Sequence, residues 1–262
     1  MTTPAELEHV LTTLRTHALP AVKVTPLAKQ PASPSASKFG GQPWWPQGKA
    51  YPHTQAGEPL FLLAQINLAE LPALPHFPRQ GMQQFFIANN DTYGLDFDSS
   101  LDEVLAAPQG YRVVYHPEVS PEAGVPADQL PALPTNNLLP LTEEYALAFT
   151  AQADLPSPSD YRFAPIARAM DEMDESMVEK LFDMDLGVGS KLGGYAYFTQ
   201  EDPRAYERQG ENWTLLFQLD THDEDDGVWI MWGDCGVGNF FIEPERLAAG
   251  DFSRIWYHWD CC

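Results

Sequence analysis

The sequence predicts an α+β protein built by tandem internal duplication, in which two mostly antiparallel β units and a few helices pack about a pseudo-two-fold axis. Three observations carry that prediction. Four blocks of sequence recur in one order along the chain. The apolar segments are short and bounded by proline and glycine, as strands are. A chain of 262 residues that is 44% hydrophobic and 12% aromatic also has the material for a sizeable core.

Taken in order, residues 5–18 place Leu7, Val10, Leu11 and Leu14 at helical spacing, with Pro4 in a favourable first-turn position and Pro20 as the stop. Residues 25–37, rich in Pro, Ser and Ala, are expected to be extended. Residues 60–68 read as a buried strand, and 82–88 and 112–116 as two more. Six prolines between 117 and 140 predict a long irregular connection. Residues 169–184 read as an acidic helix with Met170, Met173, Met177, Val178 and Leu181 on one face, a spacing that points to core packing. Residues 215–219, 228–232, 239–242 and 254–259 complete the expected strands. The chain then divides into an N-terminal helix and lead-in (1–36), a first repeat (37–116), a Pro-rich connection with the acidic helix (117–189) and a second repeat (190–262).

The recurrence is specific. Ser37, Lys38, Phe39, Gly40 and Gly41 return as Ser190, Lys191, Leu192, Gly193 and Gly194, followed by the aromatic pairs Trp44–Trp45 and Tyr197–Phe198. At the same offset, Leu63, Gln65 and Asn67 meet Leu216, Gln218 and Asp220. Gly81 and Phe85 to Ile87 meet Gly236 and Phe240 to Ile242, and Arg112 to His116 are paired with Arg254 to His258. Paired glycines before aromatic residues predict a tight turn or a close backbone approach. Gln65 and Gln218, each alone in an apolar strand, need hydrogen-bond partners, expected from backbone groups. Gly40, Gly41, Gly193, Gly194, Gln65 and Gln218 are thus read as structural. His116 and His258 are read as equivalent for the same reason.

The net charge of -22 excludes the usual basic footprint for nucleic acid and any affinity for an anionic membrane. It is also lopsided: residues 132–262 hold 25 of the 37 acidic side chains but only 8 of the 15 basic ones. A basic protein partner fits such a surface. Residues 222–227 end in Asp-Gly, a hairpin-turn signal. They present Asp223, Glu224, Asp225 and Asp226, which with Trp44 and Trp45 are the candidate partner-binding residues. Three cysteines, Cys235, Cys261 and Cys262, make no disulfide framework, and no leader or membrane-spanning pattern is visible, so a reduced cytoplasmic setting is expected. No cofactor is expected, since phosphate-binding and dinucleotide patterns are lacking. No metal is expected either: the cysteines lack CxxC spacing, and the acidic turn lacks the alternation of a calcium loop. Cys235, beside Asp234, reads as a small buried residue. No catalytic constellation stands out.

The blocks around Gly40–Gly41, Gln65, Gly193–Gly194 and Gln218, together with Met231, Trp232, Gly233, Asp234, Cys235, Gly236 and the following Phe240, Phe241 and Ile242, resemble the bacterial YwqG family. The resemblance runs from about residue 37 to 262. It implies a duplicated α+β fold and a distant similarity to eukaryotic programmed cell death protein 2 and a yeast ribosome-maturation factor, proteins linked to chaperoning a nascent basic ribosomal protein. It also implies a kinship with members placed in toxin–immunity systems. The zinc-finger insertion of the eukaryotic relatives is missing from this sequence. The leading expectation is a non-enzymatic binding module, of chaperone or immunity type, for a basic protein partner. The alternatives are RNA binding by stacking on Trp44, Trp45, Tyr197 and Phe198, and an enzyme working in a cleft between the repeats. The sequence leaves the oligomeric state open.

Overall fold

In the computed structural model, which describes residues 4–120, 122, 124–170 and 174–262, the described strands form one antiparallel sheet. Its strands are β1 (Leu19–Leu27), β2 (Lys38–Phe39), β3 (Phe61–Asn67), β4 (Met82–Ile87), β5 (Tyr111–His116), β6 (Tyr145–Asp154), β7 (Lys191–Gly193), β8 (Thr214–Asp220), β9 (Val237–Ile242) and β10 (Trp256–Asp260). The order across the sheet is β10-β9-β8-β7-β1-β6-β2-β3-β4-β5. Two four-stranded wings therefore flank a long central ribbon of β1 and β6, joined through the two-residue β2 on one side and the three-residue β7 on the other. The protein is α+β, as its sequence predicts.

The sheet curls until its wings face each other, nearly closing as a barrel. Phe85 on β4 stacks its ring 4.5 Å from Phe217 on β8 and 5.0 Å from Phe240 on β9. The edge strands are tied across the gap by the Tyr111 hydroxyl, which donates to the Ile255 carbonyl at 2.7 Å. One apolar cluster runs through both wings, including Leu63, Ile66, Phe85, Leu216, Phe217 and Phe240. Large aromatic side chains fill this interior because opposed sheets must interdigitate across about 10 Å. Each wing has its outer face covered as well, one by Trp45, Leu60, Leu62 and Phe86, the other by Phe198, Trp213, Phe241 and Trp256. Strands buried on both faces explain why Phe85, Phe86 and Ile87, and Phe240, Phe241 and Ile242, are apolar without alternation.

Five helices sit at the margins: α1 (Pro4–Thr16), α2 (Leu101–Ala106), α3 (Phe163–Arg168), α4 (Glu175–Phe182) and α5 (Pro244–Ala249). Val10, Leu11 and Leu14 of α1 pack on Phe163, Met177 and Leu181, so the methionine face is core packing; Met173 lies outside the described residues. No helix of the described residues is long and apolar enough to cross a membrane.

The structure departs from the sequence reading in several places. The helix expected over 169–184 is the shorter Glu175–Phe182. The segments assigned to the lead-in and the connection supply β1 and β6, the middle of the sheet. Residues 228–232 are not a strand. Val228, Ile230 and Trp232 are buried and Trp229 is exposed, so the alternation is genuine, but the segment finds only an isolated bridge between Ile230 and His222. The register sets His116 opposite Met82, whereas His258 stands opposite Asn239 and Asp260 opposite Val237. Asp260, not His258, therefore occupies the place of His116. Cys235 is exposed, because it occupies a left-handed turn position (φ 75°) between Gly233 and Gly236.

Candidate functional site

The segment after each glycine pair is held by side chains. In the first wing Gln65 Oε1 accepts from the Trp44 amide at 2.7 Å, and its Nε2 donates to the carbonyls of Pro34 and Ala36 at 2.9 Å. In the second, Gln218 Oε1 accepts from the Tyr197 amide at 2.8 Å and its Nε2 donates to the carbonyls of Gly187 and Gly189. The Ser37 hydroxyl accepts from Asn67 N as the Ser190 hydroxyl accepts from Asp220 N. Both strands carry a bulge, between Leu62 and Ala64 and between Leu215 and Phe217. Gly41 (φ 70°) and Gly194 (φ 78°) lie against the carboxylates of Glu144 and Asp154, where a β-carbon would collide. Gly41 and Gly194, and Gln65 and Gln218, thus meet similar groups, and both glutamines are fully buried and bonded to backbone.

Both wings carry an ion pair at the lysine before the glycines, Lys38 with Glu144 and Lys191 with Asp154, and the second wing adds a buried cluster around Asp160 and Arg204. Asp154 accepts from Lys191 Nζ and the Tyr195 amide, both at 2.8 Å. Asp160 accepts from the Ala196 amide and from Arg162 and Arg204, and Asp202 accepts from Arg204 and the Tyr161 amide. Burial pushes the Asp160 carboxyl up, but the Arg204 and Arg162 guanidiniums outweigh it and hold it well below the usual range. Arg204 lies 4.3 Å over the Phe241 ring. The chain from residue 194 to 204 is thereby pinned to the sheet, and it forms one wall of a cleft.

That cleft, of about 690 Å³, runs along the edge strand β10, which forms its floor. Its other walls are the loop before α2, with Phe97, and the segment carrying Glu201, Tyr206 and Glu207. Three carboxylates open on it, those of Asp96, Glu201 and Glu207, while that of Asp260 is buried beside it, and no Lys or Arg lines it. Phe97 is 74% exposed and Tyr206 55%, both unusually open for aromatic side chains. Burial pushes the His258 imidazole in its floor down to about 4, against the pull of Asp202, so it is neutral at physiological pH. Burial also raises the Asp260 carboxyl, although the Gln200 amide and Thr199 favour its charge. A larger cleft of about 990 Å³ shares Asp96 and Phe97 and opens on the first wing, lined by Asn89 and Asn90 among others.

The sequence-predicted partner residues are scattered. Asp223, Glu224, Asp225 and Asp226 form an exposed turn, as expected. There His222 Nε2 sits 2.9 Å from Asp226 Oδ2, and the donor atoms of His222, Glu224 and Asp226 lie within 4.8 Å of one another. Trp44 and Trp45 are each only 3% exposed, packed edge-on against His116, and Phe198 is 2% exposed, so none of these rings offers a stacking face. Sequence reasoning did not find Phe97, Tyr206 or the β10 edge. Phe97 lies in an acidic, Ser-rich loop, the one signal that separates it from core aromatics. The geometry assembles a groove that can hold an extended, positively charged segment. A search of curated proteins finds no match to the chain. A family model described as a domain of unknown function, DUF1963, matches residues 37–261, nearly the whole sheet and the whole cleft, and the chain belongs to that family.

Proposed function

We propose that this protein is a non-enzymatic binding module that takes a basic, extended segment of a partner protein into the cleft along β10. The observation that carries the reading is the cleft itself: three open carboxylates without a basic residue, two exposed aromatic rings and a sheet edge in one place. An edge strand has unpaired backbone groups that an incoming strand can complete, while pockets beside it select side chains. Exposed Phe97 and Tyr206 supply apolar anchors, and the carboxylates supply charge complementarity. The exposed turn at Asp223 to Asp226 adds long-range attraction, which acts on the association rate. Finer kinship with YwqG-type proteins, and a tandem duplication about a pseudo-two-fold axis, are part of the same reading. The matched glutamine, serine and bulge positions support the duplication.

A displayed library of random peptides tests the proposal. Enriched sequences should be Lys- and Arg-rich with an aromatic or branched apolar residue. Their affinity should fall at least tenfold in the Phe97→Ala, Tyr206→Ala double variant and fall steeply with salt, whereas neutralising the four turn residues should slow binding without shortening the life of the complex. Enrichment of acidic peptides, or binding indifferent to the double variant, would overturn it.

A further inference from the structure

Beside the cleft, and sealed beneath residues 197–200, three oxygen atoms are left without a hydrogen-bond partner: Asn239 Oδ1, Thr199 Oγ1 and Asp260 Oδ1. Their residues are tied to the same short segment. Asn239 Nδ2 donates to the Tyr197 carbonyl at 2.8 Å, and Asp260 Oδ2 accepts from the Gln200 amide at 2.7 Å, with Thr199 between those two points. The Thr199 hydroxyl is near enough to Asp260 to favour its charge, yet it falls short of hydrogen-bond geometry. Asn239 is fully buried and Asp260 is 6% exposed.

The first wing shows what this position ordinarily needs. Gln84 stands opposite Gln65 in the register, and its Oε1 lies 3.2 Å from His116 Nε2, with His116 opposite Met82. In the second wing Asn239 stands opposite Gln218, and Asp260 stands opposite Val237. An imidazole able to donate a proton has been replaced by a carboxylate that only accepts. The Thr199 hydroxyl then has one proton to offer two acceptors, Asn239 Oδ1 and Asp260 Oδ1, so at least one of them bears the full cost of its desolvation. A second carboxylate, Asp220, lies across Val237 from Asp260 on the same face of the sheet. Neither Asp220 nor Asp260 has an ion-pair partner among the described residues, whereas Lys191 is paired with Asp154 and Arg204 with Asp160 and Asp202.

We propose that Asn239 Oδ1, Thr199 Oγ1 and Asp260 Oδ1 form a binding site for a hard cation of the calcium class, with Asp220 beside it supplying a second negative charge. An amide carbonyl, a hydroxyl and a carboxylate are the all-oxygen donor set such ions take, and a flexible coordination number lets water and backbone carbonyls complete the shell. The site does not depend on the partner proposed for the cleft, and its test uses none. The full chain is stripped with chelator and titrated with terbium(III), a luminescent stand-in for calcium excited through the neighbouring aromatic rings. One saturable signal should appear, be displaced by calcium, and weaken at least tenfold in Asp260→Asn. It should persist when the exposed turn is neutralised by Glu224→Gln and Asp226→Asn. Calcium should also raise the melting temperature of the stripped protein. Asp260→His, which installs the donor found in the first wing, should fold without metal and lose the terbium signal. A signal that survives Asp260→His, or that disappears with the turn variant alone, overturns the proposal. So does a melting temperature indifferent to calcium, which would leave a buried water or a shared proton between the two acceptors.

Discussion

At the scale of single residues, the buried amides divide into two kinds. Gln65 uses every polar atom, bonding the Trp44 amide, two carbonyls and the Gln84 side chain, while Gln83, on the next strand and equally buried, has neither its Oε1 nor its Nε2 partnered. Replacing Gln65 by Leu orphans the Trp44 amide and two carbonyls, and should cost about 1–3 kcal/mol in denaturant unfolding. Gln83→Leu removes an unpaired amide from an apolar surrounding, and should leave stability unchanged or raise it in the same experiment. Equal losses for both would mean that the two amides are not distinguished as described. His116 gives a pH signature. Burial, with the nearby Lys49 charge, pushes its imidazole down to about 4 from an ordinary value of 6.5. The unfolded chain therefore binds this proton more readily than the folded one. The stability that His116 contributes is complete above about pH 6.5 and drains away as pH falls toward 4. Subtracting the profile of His116→Gln from that of the native protein should leave a slope of about 1.4 kcal/mol per pH unit within that window and none above it. Urea midpoints measured across pH 4–8 check this.

Elements show which signals the sequence carries and which it lacks. Strands buried on both faces, such as β4 and β9, announced themselves by unbroken apolar runs. The two central strands did not. Pro20 and Pro26 make β1 look like a connection, since proline cannot donate within a ladder. The structure resolves the conflict by pairing β7 only with Ala21, Val22 and Lys23, so each proline falls where β1 has a neighbour on one side alone. β6 is masked differently: Tyr145, Leu147 and Phe149 do alternate toward the core, but the exposed positions between and after them hold Ala148, Thr150, Ala151 and Ala153, so the polar half of the alternation is missing. The cleft was illegible for a related reason: the sequence shows aromatic residues but not which of them the fold leaves uncovered. Helix α4 is a simpler case. Asp174 caps it by accepting from the Met177 amide at 2.9 Å, and the helix holds Met177 and Leu181 against α1. Asp174→Ala should cost about 1 kcal/mol, read as a lower thermal midpoint with the fold intact by circular dichroism. A loss several times larger would show that the residue does more than cap.

For the whole molecule, the decisive contact is the meeting of the wings. The ring of Phe85 bridges β4 to β8 and β9, so neither wing buries its inner face without the other. Phe85→Ala should cost about 3–5 kcal/mol, and tryptophan fluorescence and far-UV circular dichroism should still report one coincident transition. Two separated transitions would mean that the wings fold independently. The central ribbon has a further consequence, in the time over which the protein is made. β1 leaves the ribosome before the other strands, its partner β6 begins about 120 residues later, and β7 later still. At roughly 5–20 residues per second, the strand that will sit in the middle of the sheet waits about 6–24 s with both edges bare. During that interval Ala21, Val22 and Val24 are open to pairing with any other nascent chain. The prolines at either end of β1 shorten the stretch that such a stray partner could zip onto, so the residues that hid the strand from sequence reading also guard it during synthesis.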